Sequence, residues 1–231
     1  MPAQHTDRAF EEELRLLRDR LLLMAGRVEE MIDGAMRALV DRDSDIARQV
    51  IKQDAAVNGD EVAIDDQCWR ILARRQPMGV DLRFLLQTHK MVGELERVGD
   101  LAVNIAERAI DLNAAEPLKP YHDIPKMGEL VQSMVRDAID ALVNTDPQLA
   151  NNVIDRDDEV DDLYDEIFAD LLELMVADPQ LVERGIHVQS VAKYLERMGD
   201  HAENMAEQVI FLVGGEDVRH IGYRKTSGGV G

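Results

Sequence analysis

Apolar residues along this chain recur every three or four positions rather than every second one. Ile46, Val50, Val57, Ile64 and Ile71 set the step in one stretch, and Leu95, Val98, Ala102, Ile105 and Ala109 in another. Such a period turns one side of a helix toward a core and the other toward water, so the pattern predicts helices throughout. Punctuation divides them into six. A first helix starts after Thr6 or Asp7, carries Glu11, Glu12 and Glu13 near its positive end, and runs to about Asp41. The polar break Asp41 to Asp45 supplies caps for a second, from Ser44 to Arg75, which Gln76 and Pro77 end. Gly79 opens a third that fades near Asn113. Three prolines within residues 114–125 mark a linker. A fourth helix then runs from Lys126 to Asn144, a fifth from the Thr145, Asp146, Pro147 start to about Ala177, and a sixth from Asp178 and Pro179 to about Val213.

The six helices are two copies of three. LERVGDLAVNIAERAI, Leu95 to Ile110, returns as LERMGDHAENMAEQVI, Leu195 to Ile210, with ten of sixteen positions identical. Upstream, Ala38 to Asn58 aligns with Ala141 to Asp161 at an offset of 103, which falls to 100 before the longer repeat. The first copy thus has three extra residues, about one helical turn, between its second and third helices. The expected fold is all-α, with two tandem three-helix bundles at residues 6–113 and 126–213 and a glycine-rich tail at 214–231.

Composition narrows the function classes. Aromatic residues are 4% of the chain, which suits aliphatic helix packing, and the single cysteine, Cys68, cannot form an internal disulfide and reads as a small buried hydrophobe. A formal charge of -20 argues against nucleic acid and favours cations or basic protein surfaces. The N-terminus lacks the basic-then-apolar signature of a signal peptide, and no apolar run reaches the roughly 18 residues of a membrane span, so a cytoplasmic protein without membrane insertion is expected.

The repeated stretch carries a polar pattern. On a wheel of about 100° per residue, Glu96, Asp100, Asn104 and Glu107 fall within roughly 80° of one another, away from the apolar arc. The second helix has a stripe of its own, Asp54, Asn58, Glu61 and Asp65, matched in the fifth by Asp157, Asp161 and Asp165. If the stripes of one half face a common groove, their oxygens suit hard or borderline cations, and without cations the charges repel. An acidic stripe is also the ordinary look of a solvated helix face paired with residues such as Arg97 and Arg108. Duplication of the asparagine and glycine at the same steps weighs against that simpler account. Gly99 and Gly199 each sit inside a helix at a cost of about 1 kcal/mol relative to alanine, which asks for a close approach to the backbone. His201 stands beside Asp200, but Leu101 occupies the matching place in the first copy. No phosphate-binding glycine loop, nucleophile elbow or CxxC occurs, so an enzyme is not expected, and the absent ExxH excludes a ferritin-like di-metal core.

LERVGD with its NxxE, LERMGDHAENMAE, RRQPMGVDLR at Arg74 to Arg83 and FLVGGEDVRHIG together resemble the PhoU family, over about Thr6 to Gly222. The resemblance implies two three-helix bundles side by side in a homodimer. It also implies a cytoplasmic negative regulator of phosphate uptake and of phosphate-starvation signalling, an adaptor between the phosphate ABC transporter ATPase and a sensor histidine kinase. Some members hold multinuclear metal clusters on E/DxxxD motifs. Those motifs map onto Glu96 with Asp100, Glu196 with Asp200, and Asp157 with Asp161, while Asn58 replaces a carboxylate in the pair begun by Asp54. Divalent or ferric ions are the implied cofactors, with iron, zinc, magnesium and nickel all admissible. A metal-binding or storage protein is the alternative reading.

Overall fold

The computed structural model describes residues 8–118 and 123–214, so the caps at Thr6 and Asp7, part of the linker and all of the tail but Gly214 lie outside the described residues. Six long helices account for the architecture: α1 (Arg8–Val40), α2 (Ser44–Arg75), α3 (Gly79–Asn113), α4 (Asp123–Asn144), α5 (Pro147–Ala177) and α6 (Val182–Gly214). A single 3₁₀ turn, Pro179–Leu181, precedes α6, and there is no strand among the described residues. One boundary departs from expectation. α4 begins at Asp123, three residues before Lys126, because Pro125 falls in its first turn, where a missing N–H costs nothing. The residues expected to be linker are therefore partly helix.

The repeat extends to the turns. After α1, Arg42 takes a left-handed φ of 57° and Asp43 then caps α2, its carboxylate accepting from the N–H groups of Asp45 and Ile46. After α4, Thr145 takes a φ of 55° and Asp146 caps α5 through Gln148 and Leu149 in the same way. The N–H groups of Asp43 and Asp146 reach back to the carbonyls of Ala38 and Ala141 at 3.1 and 2.8 Å, closing both turns as Schellman motifs. The second connections differ. Gln76 ends α2 at a φ of 46° and Gly79 opens α3 at 60°, whereas Asp178 caps the 3₁₀ turn directly. The three additional residues of the first half sit here.

Each half packs its three helices around aliphatic residues, among them Leu21, Ile64 and Leu95 in the first and Val135, Val160 and Leu195 in the second. Burying one such side chain contributes about 1.5–3 kcal/mol. The halves meet through α3 against α6 and, less extensively, α1 against α4. Arg83 donates to the Leu212 carbonyl, Glu94 meets His201, and Arg108 meets His187, so α6 descends as α3 climbs. Two similar units thus lie antiparallel along one shared apolar seam, leaving the α2–α3 and α5–α6 seams at the two flanks.

Candidate functional site

The acidic stripes face each other across those flanking seams. In the second half, α5 supplies Asp157 and Asp161 and α6 supplies Glu196, Asp200 and Glu203. Their placement refines the wheel: its apolar arc is buried, and the stripe, half-buried to exposed, runs along a seam between two helices. Asp157 lies against the α6 backbone, where a Cβ added to Gly199 would meet its Oδ1 at 3.1 Å and Val160 Cγ1 at 3.2 Å. Gly199 is therefore a packing glycine that lets a carboxylate and a valine of α5 approach. Gly99 has looser neighbours, Val57 Cγ1 at 3.5 Å and Met31 Cε at 3.9 Å.

Crowding within the seam governs the ionisation of these groups. Burial, followed by the charges of Glu203, Asp200, Asp161 and Asp158, pushes Asp157 up to about 7. Asp161 is raised by burial and then by Glu196, against the opposing pull of Lys193. Asp200 is raised by burial and by Glu196 and Asp161. Glu203 is raised by burial and then by Glu207 and Asp200. One cation enters the seam: Lys193 Nζ lies 2.6 Å from Glu196 Oε1 and 5.2 Å from the centre of the Tyr164 ring. The other oxygen of Glu196, Oε2, is buried without a hydrogen-bond partner.

The first half repeats this arrangement with more compensation. Glu96 is raised by burial and then by Asp100, with Glu61 and Asp54 adding to the effect, which places α2 and α3 carboxylates within one field. Arg97 opposes it, 3.6 Å from Glu96 and 3.8 Å from Asp100. Asn58 Nδ2 donates to Asp54 Oδ2 at 2.9 Å, and Arg27 pairs with Asp60. Asp54 Oδ1 and Asn58 Oδ1 are nevertheless buried and unpartnered. Glu107 lies exposed at the end of the stripe.

The structure thus brings Asp157, Asp161, Glu196 and Asp200 into one seam and Asp54, Glu96 and Asp100 into the other. His201 is engaged elsewhere, its Nδ1 2.6 Å from Glu94 Oε2 in the seam between halves. Two participants escape the repeat criterion: Glu203, which faces Val103 in the other copy, and Lys193, which faces Gly93. Glu203 is visible in the sequence only as a step of three from Asp200 and four from Glu207 on one helical face. Cys68 is buried, and burial with the nearby Asp65 pushes its thiol up to about 12, in keeping with a packing role.

The donor set suits a hard cation, since carboxylate oxygens predominate and three oxygens at the seams lack any partner. Among the described residues, no three His, Cys, Asp or Glu side chains stand converged as a ready-made metal site. The described helices also include none long and apolar enough to cross a membrane.

Comparison with known proteins places this geometry in context. A family model described as the PhoU domain matches residues 21–109 and again 124–209. The chain is 42% identical over 222 residues to the phosphate-specific transport system accessory protein PhoU homolog of Pseudomonas putida, covering 96% of this chain and 87% of that one. It is also 42% identical to the Aquifex aeolicus homolog, covering 90% of this chain and 95% of that one. The crystal structure of PhoU from Pseudomonas aeruginosa superposes with a TM-score of 0.87 at 41% identity, over 90% of this chain and all of that one. The phosphate transport system regulatory protein PhoU from Streptococcus pneumoniae superposes at 0.85 with 29% identity, over 90% of this chain and 99% of that one.

Proposed function

The chain belongs to the PhoU family, and from that premise we propose that it is an accessory regulator of a phosphate-specific transport system. In this reading it is a cytoplasmic adaptor, working as a homodimer, that holds down phosphate uptake and starvation signalling by contacting the transporter ATPase and a sensor histidine kinase. The observation that carries the reading is similarity over nearly the full length to proteins named for that system, at 42% identity across 96% of this chain in one case. The flanking acidic seams support it physically, because the chain carries a net charge of -20 and carboxylates clustered along its helix flanks steer basic protein surfaces toward them. Relatives are named as accessory and regulatory proteins, and the seams gather carboxylates suited to cations or basic groups, so in this reading the role is one of binding. An adaptor of this kind acts through differential affinity: one phosphate state of the transporter favours one partner over the other.

Copurification of the tagged protein with the ATPase and the kinase at high and low phosphate tests the adaptor. The expected outcome is a phosphate-dependent change in partner ratio, and identical ratios would reject it. Deletion is expected to leave starvation genes on at high phosphate.

The unpartnered oxygens favour a second reading, in which divalent or ferric ions bind at the seams. Asp157, Asp161, Glu196 and Asp200 would hold a cation in the second half and Asp54, Glu96 and Asp100 in the first. Bound there, an ion would neutralise the mutual repulsion of the carboxylates and supply no reaction. Calorimetric titration with magnesium, zinc and iron is expected to show binding that Asp157→Asn with Asp161→Asn weakens at least about tenfold.

A further inference from the structure

The face of α5 that carries the acidic stripe changes character along its length. Asp157, Asp161 and Asp165 occupy its N-terminal half, and Phe168, Leu172 and Val176 follow at steps of four, within roughly 100° of the same wheel direction. Those three are exposed by 43%, 48% and 76%. α6 begins alongside, since Met175 covers Gly185, and it adds Val182 and Ile186, exposed by 39% and 53%. A ridge of five exposed aliphatic and aromatic side chains on two adjacent helices is unusual for a surface that meets only water.

The repeat gives this ridge a second, independent mark. At the offset of 103, Leu172 corresponds to Trp69, and at the offset of 100, Ile186 corresponds to Leu86, and all four are exposed. At these two positions both copies place exposed apolar residues, whereas Asp65 stands where Phe168 does and Trp69 sets its ring edge-on to His89 of α3.

Charge decides what covers the ridge. Residues 157–183 contain eleven Asp and Glu and no Lys or Arg, whereas the matching residues 54–80 contain five against three. A second copy apposed through this face would set like charges against like. An anionic lipid surface would be repelled for the same reason. We propose that the outer face of α5 and the start of α6, centred on Phe168, Leu172 and Ile186, is the docking surface for a basic amphipathic helix of a partner protein. The partner's apolar stripe lies on the ridge and its Lys or Arg residues lie over Asp161, Asp165 and Glu173. The inference deepens the adaptor reading and rests on it for the identity of the partner.

The test uses the full-length protein and, as probe, a synthetic Lys/Leu helix of about five turns bearing a photo-cross-linker. Cross-links are expected within residues 165–186. Phe168→Ser with Leu172→Ser is expected to weaken binding at least about tenfold, and Trp69→Ser no more than about twofold. These side chains are exposed, so the variants keep their melting temperature; Asp165→Asn with Glu173→Gln provides a second test by flattening the salt dependence of binding. Cross-links elsewhere, or unchanged affinity in the ridge variant, would overturn the proposal. So would a variant whose loss is in self-association or in anionic-vesicle binding. A parallel arm measures the purified transporter ATPase: if the probe maps to the ridge while the ATPase fails to bind, the adaptor reading fails and the surface stands. If the ATPase binds the ridge variant as tightly as the unaltered protein, the surface fails and the reading stands.

Discussion

The α2–α3 and α5–α6 seams are built on one plan and balance their charge differently. In the first, Arg97 reaches toward Glu96 and Asp100, Asn58 donates to Asp54, and His89 lies 2.6 Å from Asp65. In the second, an aspartate replaces Asn58, Glu203 is added, and Lys193 beside Glu196 is the cation close to the carboxylates. The consequence is visible in ionisation, with Glu96 raised in one seam and Asp157, Asp161, Asp200 and Glu203 all raised in the other. A duplicated scaffold can keep its packing while its polar surfaces diverge, because the core tolerates few alternatives and the flanks tolerate many.

Four measurements probe that contrast, beginning with the cores, where the halves should agree. Leu95→Ala and Leu195→Ala remove equally buried side chains, so each should cost about 2–5 kcal/mol in denaturant unfolding. A difference between them greater than about 1 kcal/mol would show that the two cores are not equivalent.

The glycines should separate the halves. At Gly99 a methyl group meets only ordinary contacts, so Gly99→Ala should stabilise by up to about 1 kcal/mol through helix propensity. Gly199→Ala presses on Asp157 and the stiff Val160, and overpacking should reverse the sign, for a net loss of about 1 kcal/mol.

Acidity should separate them further. Asp157 has a folded value near 7 against 3.8 when unfolded, so its ionisation opposes folding as pH rises through that window and has no effect below it. In chelator-treated protein, Asp157→Asn should therefore melt higher than the unaltered chain at pH 8, with the advantage shrinking toward pH 4. A constant advantage across that range would remove the titration from the account. The matching variant Asp54→Asn is the control in the first seam.

The smallest effect belongs to the junction between halves. His201→Gln breaks the contact with Glu94 and should cost about 0.5–1 kcal/mol, while the apolar remainder of the α3–α6 seam holds the halves together. Thermal melts of the variant at neutral pH would measure it.

Much of this architecture was legible in advance. The extents of α2, α3 and α5 follow from Asp43, Gln76, Gly79, Asp146 and Pro147, whose backbone demands are local. The start of α4 was not, because prolines that signal a linker are equally at home in a first turn. Of the candidate site, the residues found were those marked twice. Glu203 and Lys193 were missed because nothing in the other copy answers to them.

What the sequence determined by itself is the short-range part: helix phase, caps, the twofold repeat and the narrow stripes of oxygen. These follow from rotations and hydrogen bonds within a few residues of each position. Tertiary structure alone decided that the stripes run along helix seams, with Asp157 and Glu196 half-buried and Asp161 and Asp200 exposed, and that Gly199 admits Asp157 while Gly99 faces looser neighbours. It also decided that His201 serves the junction between halves. Those outcomes depend on which helix flanks become neighbours, and with them on how much water each carboxylate keeps. Desolvation and charge crowding across a seam act between residues far apart in the chain, beyond the reach of any local periodicity.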